Sequence, residues 1–105
     1  MSGIKHDSGK ARVDLLPSEP LLMIADVMGF GAQKYTAHNW RGGFDQSRLI
    51  GAAMRHILAY NDGEDTDPES GLSHIAHAGC CVLFLLEHIA KGIGNDDRYR
   101  GKVEQ

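Results

Sequence analysis

Cysteine is scarce in this chain of 105 residues: Cys80 and Cys81 are the two, and they are adjacent. Neighbouring cysteines cannot make an ordinary structural cross-link, so no disulfide framework holds the fold and a reducing, cytoplasmic compartment is expected. Nor do they suggest zinc, because adjacent side chains on a helix point about 100° apart and no CxxC accompanies them. Their default role is that of small buried apolar groups. Long apolar runs are missing too. The longest, Ala78 to Leu86, is flanked by His77 and Glu87 and is too short to span a bilayer, so no membrane is expected. The opening MSGIKHDSGK lacks the apolar centre of a signal peptide. The formal net charge of −3 offers no basic face for a duplex, so nucleic acid is not an expected partner. Internal repeats, low-complexity tracts and convincing strand patterns are absent as well.

What remains reads as one all-α domain. Apolar residues make up 42% and charged residues 24%, ordinary values for a globular protein. Residues 1–17 are polar and broken, ending in VDLLP, which predicts an extended arm. A helical core spans 18–91. Ser18 can cap its first helix, with Glu19 and Pro20 in the first turn and Leu21, Leu22, Ile24, Ala25 and Met28 at helical spacing. That helix should fail near Gly29 or Gly31, or extend to Lys34. A long polar loop with Gly42-Gly43 follows. Asp45 or Ser47 can begin a second helix to about Tyr60, stopped by Asn61-Asp62-Gly63. A third is expected from Asp67 as N-cap, with Pro68 in its first position, to Lys91 and Gly92. Residues 92–105 read as a loose charged tail.

One stretch concentrates the chemistry. Asp62, Glu64, Asp65, Asp67 and Glu69 crowd around Pro68, His74 and His77 follow, and no Lys or Arg lies between Arg55 and Lys91. A charge run is usually only a solvated face. Here, however, like charges without partners cost stability unless a cation or basic ligand offsets them. Arg55 and His56, from the preceding antiparallel helix, are brought beside them by the short connection. Carboxylates and imidazoles converging in this way suit Mg²⁺, Mn²⁺ or a histidine-tolerant metal such as Zn²⁺. The loop KYTAHNW forms a second cluster. Tyr35 and Trp40 either pack on the core or stack on a base, with Asn39 at the base edge and Lys34 at phosphate. GIKHDSGKA has the wrong spacing for a P-loop, although Lys10 and Arg12 remain candidate phosphate contacts from the arm. His6-Asp7 sits in that polar arm, apart from any further ligands, and reads as coincidence.

The segments SGKARVDLLP, GAQKYTAHNWRGG, RHILAYNDGEDTDPESGLSHIAHA and CCVLFLLE, in that order, resemble the phage dATP/dGTP diphosphohydrolase domain family. That family is related in concept to the MazG-like all-α NTP pyrophosphatases. The resemblance implies hydrolysis of a purine deoxynucleoside triphosphate to monophosphate and pyrophosphate with Mg²⁺ or Mn²⁺, in the cytoplasm of a phage host. MazG-like enzymes carry ExxE and ExxD on successive helices. Here Glu64 to Asp67 lie in a loop, and the flanking helices bear His56 and His74/His77 instead.

The expected site follows. Glu64, Asp67 and His56 are the catalytic candidates; Glu64, Asp67, Glu69, His74 and His77 are the metal candidates. Lys10, Arg12, Lys34, Tyr35, Asn39, Trp40 and Arg55 are the nucleotide-binding candidates. The competing reading is a phage protein that sequesters a signalling nucleotide without cleaving it. A homo-oligomer is also expected, because two helices cannot cover the apolar circumference of the third. The arm, folding back with Val13, Leu15 and Leu16, would be the alternative cover.

Overall fold

The computed structural model describes residues 2–101. Three α-helices, α1 (Ser18–Lys34), α2 (Gln46–Asn61) and α3 (His74–Lys91), make up the domain, with short 3-10 turns at Val13–Leu15 and Asn39–Gly42. Among the described residues there is no strand, so the all-α expectation holds. The expected residues 103–105 of the tail, with 102 and Met1, lie outside the described residues.

Each helix has a physical start and stop. Pro17 precedes α1, Glu19 lies at its positive end and Lys34 at its negative end, as the helix dipole favours. Gly29 and Gly31 do not end it; the chain continues helical to Lys34. Ser73 is the N-cap of α3, its hydroxyl accepting from the Ile75 and Ala76 N–H groups at 3.1 and 3.2 Å. This corrects the expected start at Asp67. Gly71, at φ 73°, interrupts the backbone between the two, and only the second cap signal is followed by helix. Gly92, at φ 66°, closes α3 in the left-handed conformation as the sequence suggests.

α3 packs against both other helices, more extensively against α2. Val27, Ala76 and Cys80 form the buried nucleus, with Ile24, Met28, Leu72 and Phe84 against it. At Gly79 a Cβ would fall 2.9 Å from the Ile24 side chain, so the missing methyl lets α1 approach closely. The core is small, and the chain is extended for its length. Its radius of gyration is 17.4 Å, against about 13 Å for a compact chain of this size. Residues 2–17 are exposed throughout, so the arm covers no other element.

The segment after α3 is pinned rather than loose. Asn95 donates to the Phe44 carbonyl (3.1 Å) and accepts from the Gln46 N–H (2.9 Å). Asp97 accepts the Ser47 N–H at 2.9 Å and its hydroxyl as well, giving α2 a carboxylate cap from 50 residues away. Gly43 and Gly94 make this clasp possible, since a Cβ on Gly94 would meet the Phe44 carbonyl oxygen at 2.5 Å.

Candidate functional site

Between α2 and α3 the acidic residues fold into a tight loop. Asp67 N–H donates to the Leu72 carbonyl (2.8 Å), Gly71 N–H to that of Asp67 (2.7 Å), and His74 N–H to that of Asp65 (3.0 Å). The Asp67 carboxylate also accepts the Ser70 N–H at 3.0 Å. The loop is thereby closed on itself, and Asp67 is turned towards the histidines of α2 and α3.

Those histidines form one cluster. His56 and His74 approach with their Nδ1 atoms 2.9 Å apart. His56 stacks on His77, centroids 4.6 Å apart and planes 15° from parallel. His74 is buried, and its Nε2 lies 2.6 Å from Glu64 Oε1. His77 Nε2 pairs with the Ser70 hydroxyl at 2.7 Å. Donor atoms of His56, Asp67 and His74 all fall within 4.8 Å of one another. The sequence reading grouped Glu64, Asp67, Glu69, His74 and His77 as ligands. The fold brings Asp67 and His74 together with His56, while Glu64 stands behind His74 and Glu69 is drawn elsewhere.

Burial holds the His56 imidazole below its ordinary range, and the neighbouring His77 adds to the effect. Burial likewise pushes His77 down, with Asp67 opposing. Both rings are therefore mainly neutral at pH 7, able to accept a proton or bind a cation through a lone pair. Burial raises the Asp67 carboxyl, but the Ser70 N–H and the charge of His77 outweigh it and the net displacement is downward.

A cavity of about 550 Å³ opens beside the cluster. Its wall includes His56, Asp67, Glu69, His77 and Lys34 together with the rings of Phe30, Trp40, Phe44 and Phe84, and Phe30 meets His77 edge-on with centroids 6.4 Å apart. Tyr35 and Asn39 line it as well. Trp40 stacks on Phe84 with centroids 5.8 Å apart, so one ring face is already occupied by the core. Its carbonyl accepts from His88 Nε2 at 2.8 Å, and His88 is only 1% exposed. Lys34 pairs with Glu69 at 2.8 Å, which raises the Lys34 pKa. Of the remaining candidates, Lys10, Arg12 and Arg55 lie outside the cavity wall; Arg12 pairs with Asp14 instead. Phe30, Phe44, Phe84 and Ser70 were not picked out from the sequence. Phe30 and Phe84 lie on α1 and α3 while Phe44 and Ser70 lie in loops, a dispersal that gives no local signal.

Cys80 and Cys81 also border the cavity. Burial pushes the Cys80 thiol up to about 12 and raises Cys81 too, so neither supplies a thiolate at neutral pH. Covalent cysteine chemistry is not what this arrangement does.

A histidine–carboxylate cluster in the wall of a partly aromatic cavity, in a three-helix frame, combines donor atoms suited to a cation with apolar faces suited to a flat ring. The chain belongs to the family described as dATP/dGTP diphosphohydrolase, N-terminal, whose model matches residues 1–98. It is 38% identical over 98 residues to a protein of Salmonella phage PMBT28 named dATP/dGTP diphosphohydrolase. That match covers 93% of this chain and 33% of the relative, so the chain spans about a third of the length of the curated relative. No solved structure matches it.

Proposed function

We propose that this domain binds a purine deoxynucleoside triphosphate and takes part in its hydrolysis to monophosphate and pyrophosphate. The observation that carries the reading is a single cavity lined by aromatic rings and by the His56/Asp67/His77 group. A base fits the first by stacking and apolar contact, and a triphosphate with its counter-cation fits the second. His56, Asp67 and His74 are the residues that would hold a divalent cation. Bound there, it would polarise a phosphate and acidify a water. His77, hydrogen-bonded to Ser70 and held below its ordinary pKa by burial, would accept the proton of that water. Lys34, in the same cavity wall, would supply positive charge once it leaves Glu69. Incubation with each deoxynucleoside triphosphate and Mn²⁺, followed by separation of products, tests the reading. Monophosphate and pyrophosphate are expected; intact nucleotide across metals and pH would sink it.

A second reading rests on the length comparison. The relative is about three times as long as the segment matched, leaving room for the chemistry to reside outside this domain. The domain would then recognise or sequester a nucleotide without turnover, and heating its complex would release the ligand unchanged.

The expected partner is a second copy of this chain. Ile75, Val82, Leu86 and Ile89 are 45–58% exposed, and the last three recur along α3 at four- and three-residue intervals. That spacing would suit the seam of a helix pair. The arm does not cover it, since Val13, Leu15 and Leu16 are themselves 51–70% exposed.

A further inference from the structure

We infer that the His56–Asp67–His74 cluster is a site for a six-coordinate first-row transition cation of the Mn²⁺–Co²⁺ class, not for Mg²⁺ and not for tetrahedral Zn²⁺. Glu64 is its positioning residue. The inference deepens the reading of the cavity given above and concerns the cation alone.

Geometry supports the coordination number. Two ligands at right angles on a cation, each about 2.1 Å away, stand about 3.0 Å apart; at the tetrahedral angle they stand about 3.4 Å apart. The Nδ1 atoms of His56 and His74 are 2.9 Å apart. Donor chemistry supports the class. Mg²⁺ takes oxygen ligands and retains water, whereas imidazole nitrogens suit the later divalent metals. Two imidazoles with one carboxylate leave three positions of an octahedron for water or phosphate oxygens.

The surroundings of His74 supply the independent observation. It is 4% exposed, and Glu64 Oε1 lies 2.6 Å from its Nε2. A carboxylate at one ring nitrogen holds the N–H there and leaves the other nitrogen, Nδ1, as a lone pair aimed at His56. A ring held in this way is a pre-formed ligand. Without a cation the same contact is a plain hydrogen bond in which one Nδ1 donates to the other. The experiment must separate these two states.

Purified protein, stripped with chelator, would be titrated calorimetrically with Co²⁺, Mn²⁺, Mg²⁺ and Zn²⁺, with visible absorption recorded for Co²⁺. One Co²⁺ per chain is expected, at least tenfold tighter than Mg²⁺, with the weak bands of a six-coordinate ion. Intense tetrahedral bands would overturn the coordination, and Mg²⁺ binding as tight as Co²⁺ would overturn the class. Absence of Co²⁺ binding would leave only the hydrogen-bonded pair. His56→Gln and Asp67→Asn should abolish binding while the circular dichroism stays helical. Glu64→Gln should weaken it about 10- to 100-fold with the Co²⁺ spectrum unchanged; a changed spectrum would make Glu64 a ligand and overturn its role. Co²⁺ binding without nucleotide turnover would remove the hydrolase reading and leave the cation site. Turnover surviving in both binding-dead variants would do the reverse.

Discussion

Lys34, the last residue of α1, meets Glu69 of the acidic loop at 2.8 Å beside the cavity that both line. The pair is solvent-accessible, so it contributes little to stability. Its effect is on charge in the cavity wall, where the proposed function puts the phosphates. Glu69→Gln should free the ammonium and tighten binding of a triphosphate several-fold, while Lys34→Met should weaken it about tenfold. Fluorescence or calorimetric titration of both variants would check this, with melting temperatures close to the parent's. Equal affinities in all three proteins would remove Lys34 from phosphate binding.

Trp40 is the single tryptophan, so its emission reports on one loop. His88 donates from Nε2 to the Trp40 carbonyl, and its Nδ1 has no partner among the described residues. His88→Leu removes this bond and leaves the carbonyl with the Gly43 N–H alone, which should cost about 0.5–1.5 kcal/mol. A lower melting temperature and red-shifted emission are expected. His88→Gln, which retains an N–H donor, should recover part of both.

Gly94 and Gly92 are both left-handed, at φ 75° and 66°, but their surroundings differ. A Cβ at Gly92 meets nothing within 4 Å, whereas at Gly94 it strikes the Phe44 carbonyl oxygen. Gly92→Ala should cost about 1 kcal/mol, the ordinary strain of that backbone. Gly94→Ala should cost more, about 2–3 kcal/mol, and release the clasp on α2. Denaturant melts of the two variants give the comparison directly.

The thiol of Cys80, pushed up to about 12, and that of Cys81, also raised, should resist alkylation in the native state. Iodoacetamide at pH 7.5 should label neither until denaturant is added. Replacement of both by Ala should leave nucleotide binding within a few-fold. Rapid native labelling would contradict the burial on which the cavity floor depends.

The α3 seam gives the last expectation. Leu86→Asp should dissociate the assembly, read by light scattering at micromolar concentration. The cavity is lined by Phe84, Cys81, Cys80 and His77, none of them in the seam, so each subunit should keep its own pocket. A parent protein that is monomeric throughout would remove the second-copy reading.

The helices were legible because periodic apolar residues and punctuation agreed, as at Asp45 before α2 and Gly92 after α3. The start of α3 was not, because DPE and SHI both carry cap chemistry in sequence. Only the left-handed Gly71 and the loop's own hydrogen bonds decide between them. The convergence of His56 with His74 and His77 followed from the short connection between their helices. The division of labour between Asp67, which faces the histidines, and Glu64, which backs His74, depends on loop closure that spacing does not encode. The clasp of residues 93–97 on α2 was likewise hidden: Asn95 and Asp97 look solvated until a helix terminus 50 positions away presents its N–H groups.

That clasp decides where any continuation of the chain departs. A polypeptide running past residue 98, as the longer relative has room for, would leave from the first turn of α2 and not from the free end of α3. The Asp97 bond to Ser47 acts as a mooring. A load on the tether, such as the docking of a following domain, would be delivered to the helix that carries His56 nine residues, or about 14 Å, further along its axis.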